Sequence, residues 1–139
     1  MMFMQTTLLK PATVSKKILW AGRIMSALPV LLLLFSAGMK LLRPAAVRQG
    51  LTQAGVPERL ALLLGILELT CTIVYLFPAS SVLGAILLTG YLGGATLAHL
   101  RIGQPVFLTV LAGVLVWGGL FLRDSRVRVL VPFRQSVST

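Results

Sequence analysis

Acidic side chains are scarce in this sequence of 139 residues, which has three Asp and Glu against thirteen Lys and Arg. Charged residues make up 12% of the chain and hydrophobic residues 57%, whereas about 25% of an ordinary soluble domain is charged. The lack of charge argues against a soluble domain and is typical of an integral membrane protein. The length fits a single domain.

Cysteine and histidine are also scarce, with one of each, Cys71 and His99. A single cysteine excludes an internal disulfide and a thiolate-rich metal site. A single histidine excludes a haem held by two histidines of one chain. The sequence has no Walker loop, no GxSxG and no HExxH motif. We therefore expect no metal site, no covalently bound cofactor and no enzymatic activity of the chain on its own.

Long apolar segments are abundant, and each is near the roughly 20 residues that cross a hydrocarbon core of about 30 Å. The four segments cover about residues 18–42, 58–77, 80–100 and 105–122. Only a few residues around Pro78 connect the second and third segments, so these two must be antiparallel neighbours. We predict an all-α integral membrane four-helix bundle over residues 16–124, with antiparallel up-down topology.

The segment between the first two spans, residues 43–55, is too long for a tight turn and has Pro44 where a helix can start. We predict a short interfacial helix there. The two tails, residues 1–15 and 125–139, are polar or basic. A cleaved signal peptide is a weaker interpretation of the first span, because its apolar part is long for such a peptide.

Basic residues cluster beside the ends of the spans, where they determine topology and contact lipid headgroups. This placement argues against nucleic-acid binding. Eight of them fall on the side of the two tails: Lys10, Lys16, Lys17, Arg23, Arg123, Arg126, Arg128 and Arg134. Five fall on the other side: Lys40, Arg43, Arg48, Arg59 and Arg101. The excess favours both termini in the cytoplasm, and we expect the bacterial inner membrane.

Glu68 stands out because it interrupts an otherwise apolar span, "GILELTCTIVYLF". A charged group in hydrocarbon costs a few kcal/mol and should face the bundle interior with a partner. Helical spacing puts Gly65, Glu68, Thr72 and Tyr75 on one face, which we predict is the inner face of the second span.

Three other polar residues can reach the same leaflet as Glu68. Counting residues along antiparallel helices puts Tyr91 at about the depth of Glu68, His99 nearer the surface, and Lys40 at the end of the first span. We predict that Lys40, Glu68, Tyr91 and His99 line one polar pocket. Each has an alternative interpretation: Glu68 as a structural ion pair, Lys40 as a snorkelling end residue, and Tyr91 and His99 as interfacial anchors.

Small residues in the spans indicate helix packing. Gly90 and Gly94 have the GxxxG spacing that lets two helices approach closely, within the bundle or against a second copy of the chain. We assign Gly38 and Gly65 to the same packing role.

Four motifs, "LFSAGMKLLRP", "LLGILEL", "YLGGATLAHLRIG" and "FLRDSRVRVLVP", resemble the DoxX-like family of small integral membrane proteins over about residues 18–133. The resemblance implies a four-helix bundle in which Gly38 with Lys40, Gly65 with Glu68, and Gly94 with His99 carry the family's motifs. It also implies a link of some members to quinone-reducing or other redox assemblies, and of distant relatives to receptor assembly.

Three functions are consistent with these features. The first is an accessory or binding subunit that holds a quinone or a lipid at the polar cluster. The second is an assembly or chaperone-like partner of another membrane protein, with a homodimer as a further form of association. The third is a small proton-coupled transporter, although the sequence has no inverted repeat.

Overall fold

The computed structural model describes residues 15–131, which are mostly helical and contain no strand. The predicted cytoplasmic tail before Ser15 and the last part of the C-terminal tail, 132–139, lie outside the described residues. The described residues form six helices: α1 (Lys16–Leu42), α2 (Ala45–Gln53), α3 (Arg59–Leu76), α4 (Ser81–Arg101), α5 (Phe107–Arg123) and α6 (Ser125–Leu130).

The four apolar segments of the sequence correspond to α1, α3, α4 and α5, whose ends lie within two residues of the expected ones. Local signals explain several ends. Ser15 caps α1 by accepting a hydrogen bond from the backbone of Ile18, and α4 is followed by Gly103 with a positive φ of 67°. The segment expected to be interfacial contains the short helix α2, which starts directly after Pro44.

The long helices pack in a cycle, because α1 and α4 each contact both α3 and α5. Their inward faces form one continuous core that includes Leu33, Tyr75, Leu88, Val116 and Leu120. The outward faces carry many exposed large apolar side chains, such as Phe35 and Phe107. An apolar exterior around an apolar core is the arrangement expected in lipid.

Three helices, α1, α3 and α4, are long and apolar enough to cross a membrane. Helix α5 is also apolar but has 17 residues, so at 1.5 Å per residue it spans about 26 Å. Its last turn is followed by α6, which was not predicted from the sequence. The Asp124 carboxylate caps α6 by accepting a hydrogen bond from the backbone of Arg126, and Val127 of α6 is buried against the core.

Glycines permit close helix contacts at two places that the sequence did not indicate. At Gly119 of α5, an added Cβ would lie 2.8 Å from the backbone nitrogen of Ser26 and 2.9 Å from the carbonyl oxygen of Gly22, both in α1. At Gly84 of α4, an added Cβ would overlap the backbone of Tyr75 in α3. Backbone atoms cannot move aside as a flexible side chain can, so both contacts require glycine.

Gly38, Gly90 and Gly94, for which we predict a packing role, do not approach another helix closely within residues 15–131. A Cβ added at any of these three would meet no described atom within 4 Å, and packing against a second copy of the chain stays a prediction. The GxxxG spacing selects one face of α4, but that face borders open space instead of a neighbouring helix. At Gly65, in contrast, a Cβ would lie 3.2 Å from side-chain atoms of Lys40 and Leu41, so this glycine does permit a close contact of α3 with α1.

We expect Gly84→Ala to destabilise the protein much more than Gly94→Ala, although both change the same helix in the same way. The methyl group at residue 84 collides with the α3 backbone, and overpacking of this kind costs about 1–3 kcal/mol. The methyl group at residue 94 enters open space. Thermal unfolding of both variants in mild detergent measures the difference, and equal midpoints would contradict the α3–α4 packing described above.

Candidate functional site

The buried face of α3 carries the carboxylate of Glu68. Its buried residues include Gly65, Glu68, Thr72 and Tyr75, so the predicted inner stripe is confirmed. Only 2% of Glu68 is exposed. The neighbouring polar group on this stripe is satisfied locally, because the Thr72 hydroxyl donates to the carbonyl oxygen of Glu68 at 2.7 Å.

Glu68 Oε2 accepts hydrogen bonds from three side chains on two other helices. Lys40 Nζ of α1 donates at 2.7 Å, Tyr91 Oη of α4 at 3.0 Å and Ser36 Oγ of α1 at 3.3 Å. Lys40 Nζ also donates to Ser36 Oγ at 2.7 Å and lies 5.8 Å from the centre of the Tyr91 ring. One carboxylate therefore joins α1, α3 and α4.

Pairing explains how the interior tolerates these charges. A carboxylate or an ammonium alone in hydrocarbon is costly, whereas a short, hydrogen-bonded pair has no net charge. Lys40 approaches from the last turn of α1, and its side chain is 19% exposed while that of Glu68 is 2% exposed. Lys40 is thus the more exposed member of the pair.

A cavity of about 590 Å³ lies beside this pair, between α3 and α4. Leu51 and Val56, in and after α2, line it as well. The remaining lining residues are Lys40, Leu64, Leu67, Cys71, Ile86, Leu87, Gly90, Tyr91, Gly94, Ala95, Ala98 and His99. The open space at Gly90 and Gly94 is therefore part of this cavity, which is mostly apolar with three polar side chains.

The cavity reaches the outer surface of the helices. Leu67 of α3 and Ile86 and Leu87 of α4 line it, and they are 47%, 55% and 41% exposed. These side chains belong to helices long and apolar enough to cross a membrane. A molecule dissolved in the surrounding lipid could enter between α3 and α4 without passing through water.

The polar atoms of the cavity have defined hydrogen-bonding capacities. Lys40 Nζ has three N–H donors, of which Ser36 and Glu68 accept two. His99 Nδ1 lies 2.7 Å from the carbonyl oxygen of Ala95. Because a carbonyl only accepts, Nδ1 must carry the hydrogen, which makes Nε2 an acceptor in the neutral ring. The cavity thus combines one charged donor with an imidazole whose Nε2 accepts a hydrogen bond when the ring is neutral.

The structure brings together most of the predicted residues, in a different arrangement from the one expected. Lys40, Tyr91 and His99 line the cavity, but Glu68 does not and lies behind Lys40 and Tyr91. Among residues 15–131, His99 makes no hydrogen bond to the other three. It lies eight residues beyond Tyr91 on α4, which is about 12 Å along a helix.

Sequence reasoning missed Ser36, the third partner of the carboxylate. Its position four residues before Lys40 on α1 puts both on one helix face, which was the available signal. A serine hydroxyl in a membrane helix commonly bonds its own backbone, so the residue type alone did not indicate a contact with α3.

Comparison with known proteins gives one family match. The model of the DoxX-like family matches residues 24–120, well over half of the chain. The match includes Lys40, Glu68, Tyr91 and His99, and it is shorter at both ends than the resemblance noted in the sequence. No curated protein and no solved structure gives a significant match.

We expect a strong energetic coupling between Lys40 and Glu68. Lys40→Met or Glu68→Gln alone leaves one buried charge without its partner, at a cost on the order of 3 kcal/mol. The double variant removes both charges, while the introduced amide oxygen can still accept from Tyr91, and it should recover most of that loss. Unfolding of the four proteins in detergent measures the coupling.

The exposed pair of Arg48 and Glu58 provides the control. Its charged atoms are 3.6 Å apart and its side chains are 50% and 55% exposed, so the same cycle with alanines should give a coupling of less than about 1 kcal/mol. Additive effects of Lys40→Met and Glu68→Gln would show that the interior pair is not coupled.

Proposed function

The chain belongs to the DoxX-like family, and we propose that it is a small integral membrane protein that binds a neutral, carbonyl-bearing lipophilic molecule such as a quinone. The observation that carries this proposal is the cavity between α3 and α4, where a lysine N–H is presented beside mostly apolar walls. In the cell, the protein would act as an accessory subunit of a membrane redox assembly.

The proposal takes α1, α3, α4 and α5 as four antiparallel spans. The cyclic packing of these helices supports four spans, and so does the apolar character of α5. A helix of 17 residues can span by local thinning of the bilayer and snorkelling of its terminal Arg123. The excess of basic residues on the side of the tails supports termini in the cytoplasm, as in a bacterial inner membrane protein.

The chemistry of the cavity favours a neutral ligand that accepts a hydrogen bond. The positive charge of Lys40 is balanced by Glu68 at 2.7 Å, so an anion would gain little from the pair and would lose its own hydration. A quinone carbonyl can accept the third N–H of Lys40, and its ring and tail can contact the leucines and isoleucine of the lining.

Glu68 has a positioning role in this proposal. By accepting from both Lys40 and Tyr91, it holds the ammonium and the phenol ring at one end of the cavity. His99 lies eight residues beyond Tyr91 on α4, about 12 Å along the helix, and its Nε2 can accept from a hydroxyl when the ring is neutral. A ligand with a carbonyl near Lys40 and a hydroxyl or water near His99 would use both polar ends.

A second candidate function is docking of another membrane protein. The open glycine face of α4, at Gly90 and Gly94, would let a helix of a partner or of a second copy approach closely. This function predicts that the purified protein retains another chain and takes up no quinone.

The first test is native mass spectrometry of the protein in mild detergent with a short-tailed benzoquinone. We expect the wild type to bind the quinone and Gly94→Leu to lose it, because the added side chain fills the cavity. Gly93→Leu is the matched control: its Cβ also meets nothing within 4 Å, but residue 93 lines a different groove. Equal binding by both variants would contradict this location.

The second test asks whether binding depends on the polar atoms. Lys40→Met with Glu68→Gln removes the donor without leaving an unpaired charge, so the variant should fold. A hydrogen bond from a charged donor contributes about 1.5–3 kcal/mol, so we expect quinone affinity to fall by roughly tenfold or more. Unchanged affinity in a folded variant would eliminate Lys40 as the binding group.

A further inference from the structure

A second polar cluster lies at the opposite end of the helices, where α1, α3 and α5 meet. The Tyr75 hydroxyl oxygen is 2.8 Å from the carbonyl oxygen of Val116 and 2.9 Å from Ser26 Oγ. Arg123 Nε donates to Ser26 Oγ at 3.0 Å, and its guanidinium lies 5.0 Å from the centre of the Tyr75 ring. Tyr75 is fully buried.

The directions of these bonds follow from the donors available. The carbonyl of Val116 can only accept, so it takes the single hydroxyl hydrogen of Tyr75. The hydrogen between Ser26 and Tyr75 must then come from Ser26, whose oxygen accepts from Arg123. This chain of bonds fixes the guanidinium through Nε, and within residues 15–131 its two terminal nitrogens make no further hydrogen bond.

Two arginines line one small cavity beside this cluster. The cavity has a volume of about 180 Å³ and is lined by Arg23, Ser26, Ala27, Val30, Tyr75, Leu76 and Arg123. Arg23 lies with its guanidinium 5.4 Å from the centre of the Trp20 ring. Two like charges at one cavity repel each other, and no lining residue is acidic.

Each of the three acidic side chains of the chain forms an ion pair with a basic residue other than Arg23 and Arg123. Glu68 pairs with Lys40, and Glu58 with Arg48, toward the other end of the helices. Asp124 follows Arg123 in the chain, but both of its oxygens accept from Arg126, at 3.1 Å and 2.8 Å. These hydrogen bonds, and to a smaller extent the nearby charge of Arg123, hold the pKa of the Asp124 carboxyl below its usual range, so the carboxylate is hydrogen-bonded to Arg126 and also lies close to Arg123.

We propose that Arg23 and Arg123 bind the phosphate of an anionic phospholipid. Guanidinium groups donate two parallel hydrogen bonds to phosphate oxygens, and an anion between them would relieve their repulsion. The apolar part of the lining supports a lipid as the source of the phosphate, because Ala27 and Leu76 are exposed between α1 and α3 and can contact an acyl chain.

This anion site is distinct from the quinone cavity and does not depend on it. Arg23 and Lys40 are 17 residues apart on α1, which is about 25 Å along a helix. The family match covers residues 24–120, so both arginines lie outside it and family membership does not imply the site.

The test is binding of phosphatidylglycerol or phosphatidylcholine to the protein in neutral detergent, followed by native mass spectrometry and thermal unfolding. We expect phosphatidylglycerol to bind roughly tenfold more tightly than phosphatidylcholine to the wild type, and Arg23→Gln to remove most of that preference. Arg59→Gln is the matched control, since it removes one exposed arginine at the other end of the helices.

A second variant, Arg123→Lys, keeps the positive charge but loses the planar guanidinium group, which can donate two parallel hydrogen bonds to one phosphate. It should retain the fold and bind phosphatidylglycerol more weakly than the wild type. Equal binding of the two lipids, or equal loss in Arg23→Gln and Arg59→Gln, would overturn the proposal. Stabilisation by inorganic phosphate as large as that by phosphatidylglycerol would overturn the lipid as the source of the phosphate.

Discussion

The ion pair of Lys40 and Glu68 is the constraint on which the arrangement of α1, α3 and α4 depends. Its atoms are 2.7 Å apart, and in an apolar interior neither charge can be separated from the other without a large cost. The pair therefore fixes how far α1 can slide along α3. Because Tyr91 donates to the same oxygen, the position of α4 along the bundle axis is fixed as well. These polar contacts therefore determine how the three helices are aligned, and the apolar core packs in that alignment.

Close packing and open space alternate along the same helices. Gly22, Gly84 and Gly119 lie where backbones touch, and these contacts concentrate toward the end of the bundle with Ser26, Tyr75 and Arg123. Around Gly90 and Gly94 the helices separate, and the cavity lies there. Tight packing at one end lets the fold tolerate a cavity at the other, where Lys40 and Tyr91 contribute both to the cavity wall and to the polar contacts that join the helices.

Much of the fold and part of the site could be predicted from the sequence. The rise of a helix is fixed and a buried charge needs a partner, so Lys40, Glu68 and Tyr91 could be placed near each other. Apart from Gly65, the glycines could not be assigned, because a spacing identifies a face of a helix but not its neighbour. Gly22 and Gly119 come from opposite ends of the chain. Helix α6 was missed because its stability comes from burial of Val127 and from Arg128, which donates to the carbonyls of Phe121 and Leu122. Those contacts are tertiary.

The distribution of charge gives the two ends of the molecule different chemistry. Near Lys40 the cation is paired within the chain, so the cavity there offers apolar surface and a hydrogen-bond donor without net charge. Near Arg23 and Arg123 no acidic side chain lines the cavity, so in our proposal the bound group brings the negative charge. In the second site a quinone carbonyl could accept a hydrogen bond but would leave the arginine charges unbalanced, and a phosphate would lose its hydration in the first without an uncompensated cation to replace it. With so few acidic residues, the position of Glu68 decides which of the two cavities is neutral, and in our two proposals that difference in charge separates the two ligand classes.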